Sequence, residues 1–86
     1  MANEKQPQQI SFSDYWKALK ESDIMEFRQM KKEIMTICGL EEYNLRRKKR
    51  DNTFSRAEKI VITDIISERE NTQFEIDVLF PSLIPA

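Results

Sequence analysis

The chain has 86 residues, enough for one small domain around one core. Its composition is 40% hydrophobic and 34% charged, with 14 basic residues against 15 acidic ones, the profile of a folded soluble domain. One glycine excludes a Gly-rich phosphate loop, the absence of histidine removes the commonest metal ligand and general base, and one cysteine excludes an internal disulfide or a multi-cysteine zinc site, so neither a cofactor nor an enzymatic activity is expected.

Residues 1–10 show no periodicity and read as a disordered leader, without the apolar run of a signal peptide. At Ser11 the pattern changes. Ser11 and Asp14 form a weak capping box, and Phe12, Tyr15, Trp16 and Leu19 follow at helical spacing, predicting a short aromatic-striped helix over 11–20. Ser22 or Asp23 starts the next, 23–38, with Asp23 and Glu26 acidic in its first turn; its stripe is Ile24, Phe27, Met30, Ile34 and Ile37, widened by Met35 and Cys38. Gly39 ends it, in the place where a left-handed residue is wanted. A polar helix follows over 41–50. Its acidic Glu41 and Glu42 come first and its basic residues last, the order the helix dipole favours. Leu40, Tyr43 and Leu45 are its candidates for the core, and nothing after Leu45 reaches inward until Phe54. Ser55 and Glu58 make a clean capping box for a helix over 55–69, with Ala57, Ile60, Val61 and Ile65 as its stripe and Ile62 and Ile66 broadening it. Asn71-Thr72 breaks that helix.

Residues 71–86 read as an extended arm. Phe74, Ile76, Val78 and Phe80 alternate with Glu75 and Asp77, the period of a half-buried strand that Pro81 ends. No second strand exists to pair with it. It therefore either pairs with its copy across a two-fold axis, making Phe74, Ile76, Val78 and Phe80 a dimer interface helped by Leu79, Leu83 and Ile84, or folds back over its own helices. The fold class expected is all-α: a compact four-helix domain over 11–70 followed by this arm or single strand.

Charge is uneven along the chain. Residues 41–59 carry seven basic and four acidic groups, whereas 60–86 carry one and five. Arg46-Arg47-Lys48-Lys49-Arg50 stand in a row, and such a run repels itself unless a polyanion or acidic groups lie nearby. Arginine pairs bidentately with phosphate or guanine, and asparagine with adenine.

The order of helix, Gly39-Leu40, polar helix and the Ser55-Arg56-Ala57-Glu58-Lys59 opening resembles small bacterial helix-turn-helix proteins of the repressor-like class, particularly compact ones common in Bacteroidetes, over residues 23–67. The resemblance implies that Gly39 and Leu40 form the turn and that Leu45 anchors a recognition helix. Asn44, Arg46, Arg47, Lys48 and Arg50 would then be exposed on it, and Lys49 stands where that family usually carries a second apolar anchor. With Arg56 added on charge grounds, these are the candidate nucleic-acid-binding residues. The function expected is duplex-DNA binding by a homodimeric transcriptional regulator. The alternative is a non-enzymatic protein-interaction or structural module on the same scaffold, which the acidic sequence pI of about 5.5 favours.

The remaining chemistry-bearing residues have plainer expectations. With no histidine to activate it, Cys38 reads as a buried inert thiol. Asp64 and Glu68 read as a solvated helix face, and Tyr15 and Trp16 as core. The longest apolar runs, such as Ile60-Val61-Ile62, are far too short to cross a bilayer, so no membrane partner is expected and the cytoplasm is the expected compartment.

Overall fold

The computed structural model describes residues 10–81. They form α1 (Phe12–Ser22), α2 (Ile24–Cys38), α3 (Glu42–Asp51), α4 (Arg56–Glu70) and α5 (Ile76–Leu79), and no strand occurs among them. Each of the first four helices has a local reason to start or stop. The Ser11 side chain accepts from the Asp14 N–H at 3.2 Å, and the Asp23 carboxylate accepts from the Glu26 N–H at 3.2 Å. Gly39 takes φ 68° and its N–H, with that of Leu40, bonds the Met35 carbonyl. Asn52 and Asn71 end α3 and α4 in the same left-handed region, at φ 57° and 53°. The Ser55–Glu58 box closes in both directions, at 2.8 and 3.1 Å.

The core is aromatic at one end and aliphatic at the other. Phe12 is its hub: its ring centroid lies 5.8 Å from Trp16, 5.8 Å from Phe54 and 5.4 Å from Phe80. Phe54 and Phe80 are 5.6 Å apart, and Trp16 stands edge-on to Phe27 at 5.0 Å. Met30, Ile34, Leu45, Ile62 and Ile66 fill the rest with no measurable exposure. Helix α2 packs on both α1 and α4. The Arg69 guanidinium ties the last turn of α4 to Glu26 and Glu33 of α2. Ile10 packs on the core from the edge of the leader; residues 1–9 of that leader lie outside the described residues.

Three sequence expectations need correction. The strand over Phe74–Phe80 is a single helical turn, α5, preceded by the extended Glu75. Phe74, Leu79 and Phe80 are buried in the chain's own core, and Ile76 and Val78 are half-buried. The alternation is therefore not used: a strand has no partner here, whereas one turn of helix points Leu79 and Phe80 inward and satisfies the Phe80 N–H on the Ile76 carbonyl at 2.8 Å. Leu83 and Ile84 lie outside the described residues. Tyr43, expected to reach the core, is 69% exposed, because Leu45 fills the inward side of α3. On α4 the buried edge is Ile62, Thr63, Ile65 and Ile66. Ala57 and Ile60, expected to be inside, face solvent, as Ile24 and Ile37 of α2 do.

Candidate nucleic-acid interface

Helix α3 divides its five consecutive basic residues between two faces. Leu45 is the inward anchor, and Lys48 and Lys49, at i+3 and i+4 from it, turn to the same side. The Lys48 ammonium donates to both oxygens of Glu58, at 3.1 and 3.2 Å, joining α3 to the first turn of α4. Burial acts to raise the Glu58 carboxyl. The Ser55 N–H and Lys48 outweigh it and hold the group below the usual carboxylate range. Lys49 runs toward α1, its ammonium 5.3 Å from the Trp16 ring centroid. Burial lowers its pKa, and Lys20 and Arg46 nearby add to the shift. Its stem thus lies on the inward side of α3 with Leu45 while its ammonium stays half-exposed.

Outward on α3 stand Tyr43, Arg46, Arg47 and Arg50, with the exposed carboxylates Glu42 and Asp51 at the ends of the helix. Tyr43 and the three arginines stand at i, i+3, i+4 and i+7, within an arc of about 100° of the helix, and all four are exposed. The Arg47 guanidinium lies 5.8 Å from the Tyr43 ring centroid. Arg46 reaches Glu42 one turn back at 3.3 Å, and Arg50 reaches Asp51 at 3.0 Å. Lys31 of α2 also donates to Glu42, at 2.8 Å. This contact, with Arg46 adding to it, holds that carboxyl below its ordinary range. Hydrogen bonding to Arg50 does the same for Asp51. Both arginine pairs are on the surface, where such contacts are worth about 0–1 kcal/mol and exchange readily for another anion.

Of the six residues named from sequence, the fold brings Arg46, Arg47 and Arg50 to one face. Asn44 is half-buried beside it, and Lys48 is committed to Glu58. Arg56 belongs to another helix, exposed in the first turn of α4. Tyr43, expected in the core, belongs to this face instead; the signal for it is its spacing of three and four residues before Arg46 and Arg47. Cys38 is half-buried, and burial raises its thiol, with Glu58 adding to the effect, which leaves it a poor nucleophile. Asp64 and Glu68 are exposed, and Tyr15 and Trp16 are buried. Among the described residues no group of histidine, cysteine and carboxylate side chains could hold a metal ion, and no helix is long and apolar enough to cross a membrane. No family model, curated protein or solved structure matches this chain.

Proposed function

We propose that this chain binds duplex DNA through the outward face of α3, acting as a non-enzymatic regulator on a helix-turn-helix-like scaffold made by α2, the Gly39 turn and α3. The observation that supports this reading is the sorting of the basic run. The two lysines are turned inward on Glu58 and Trp16, while three arginines and a tyrosine share one solvent face. Arginine is the side chain suited to bidentate phosphate and guanine contacts, and Tyr43 adds a hydroxyl and a ring at the start of the helix. Arg46 and Arg50 pair weakly with Glu42 and Asp51, carboxylates that phosphate oxygens would replace.

The test is fluorescence anisotropy with a random duplex across a salt series. Three phosphate contacts predict a slope near −2.7 in log affinity against log salt, a loss of about forty-fold between about 50 and 200 mM. Arg46→Ala, Arg47→Ala and Arg50→Ala should each reduce the slope by about 0.9, and Lys48→Met should leave it unchanged. A slope near zero, or no binding at the lowest salt, overturns the proposal. The second reading, a protein-interaction module, is favoured by the exposed Ile24, Met25 and Ile37 of α2.

A further inference from the structure

Helix α4 carries more apolar surface than the core takes. With Ile62, Ile65 and Ile66 inside, Ile60 remains 43% exposed, Ala57 is exposed and Val61 is half-buried. Ile37 of α2, 56% exposed, borders Val61 along the groove between the two helices. Charged residues frame Ile60 on its own helix. Arg56 stands four residues before it and Asp64 four residues after, so cation, apolar side chain and carboxylate lie in one row. Neither charge forms an ion pair among the described residues. Arg56 is also in the first turn of α4, where a cation opposes the helix dipole, so its own helix gains nothing from it.

This row is complementary to itself when reversed. If two α4 helices pack antiparallel across a two-fold axis at Ile60, positions equally far before and after Ile60 face each other. Ile60 then meets Ile60, and each Arg56 meets the partner's Asp64. Ala57 and Val61 flank the axis, and the small Ala57 lets the helices approach closely. We propose that this face of α4 is an isologous dimer interface and that its occupant is a second copy of the chain. The two symmetric ion pairs set the register, and the apolar centre, widened by Ile37, supplies the burial. The inference does not rest on DNA binding, and its test uses no nucleic acid.

Sedimentation equilibrium of the full chain, from about 10 to 500 μM at low salt, should show a monomer–dimer equilibrium. Ile60→Asp, at an exposed position, should give a folded monomer by circular dichroism. Arg56→Asp and Asp64→Arg should each weaken association by at least about tenfold, because two attractive pairs become repulsive at once. Arg56→Asp also improves the charge of its helix N-terminus, so its loss of association cannot come from fraying of α4. The double variant Arg56→Asp/Asp64→Arg should return to within about threefold of the wild type, since the swapped charges again meet their opposites. Three results overturn the proposal: a wild-type monomer throughout the range, a dimer indifferent to Ile60→Asp and to the single reversals, or a double variant no better than the singles.

Discussion

At residue scale, Lys49 shows how a charged side chain can serve as a core anchor. By residue type it breaks the apolar pattern of α3. In the fold its methylene stem lies toward α1 and its ammonium sits over Trp16, half-buried, with a pKa lowered by that burial and by Lys20 and Arg46. Two opposed electrostatic effects act on the charge: attraction to the indole face, worth about 0.5–1 kcal/mol, and partial desolvation beside two other cations. The stem has no such conflict. Lys49→Met, which keeps the stem and drops the charge, should therefore stay within about 0.5 kcal/mol of the wild type, whereas Lys49→Ala should cost about 1 kcal/mol. Urea unfolding followed by Trp16 fluorescence reads both. An alanine variant as stable as the methionine variant would show that the stem is not an anchor.

At element scale, capping carries much of what could be read in advance. Ser11, Asp23 and Ser55 each precede an apolar stripe, and Gly39 and Asn71 follow one; every one of these residues caps a helix as its chemistry demands. Residue faces were less legible. The stripe of α4 is wide enough to bury either edge, and only the positions of α2 and α5 decide that Ile62 and Ile66 go in and Ile60 stays out. Tyr43 lies outside the core for the same reason: periodicity gives a face but not which neighbour covers it. The Ser55 cap is also linked to pH through Glu58. That carboxyl is held below its ordinary value of 4.5 in the fold, so the folded chain binds fewer protons than the unfolded chain as pH falls. Its contribution is full above about pH 5 and is lost as pH drops through the lowered folded value. Ser55→Ala should cost about 1 kcal/mol at neutral pH, and Glu58→Gln should flatten the fall in stability between about pH 5 and 3. Thermal melts from neutral pH down to about pH 3 check both. A Glu58→Gln profile parallel to the wild type would remove Glu58 as the source of the slope.

At the scale of the whole molecule, the segment Phe74–Phe80 is part of the core. Of the two fates open to it, folding back over its own helices is the one seen, and the reason it read as a strand is physical. Phe74, Ile76, Val78 and Phe80 have the period of a strand, and nothing in the local pattern reveals that the helices leave an aromatic gap beside Phe12 and Phe54. That gap decides the conformation. Phe80 fills it from one side, and Phe74 enters beside Tyr15, the two ring centroids 6.3 Å apart, with its backbone N–H donating to the Ser67 hydroxyl at 3.0 Å. Removing a buried phenylalanine side chain costs about 3–5 kcal/mol, against a total stability of about 5–10 kcal/mol for a domain of this size. Phe80→Ala should therefore lower the urea midpoint by a third or more, by about the same amount at every protein concentration. Val78→Ala, at a half-buried position on α5, should cost less than about 1.5 kcal/mol. A chain ending at Asn71 loses Phe74, Leu79 and Phe80 together and should show no cooperative transition. An interface strand predicts the opposite pattern: Phe80→Ala would weaken self-association and leave the monomer's unfolding midpoint where it was. Measuring the midpoint at two protein concentrations separates the cases, because a residue buried within one chain acts on stability independently of dilution.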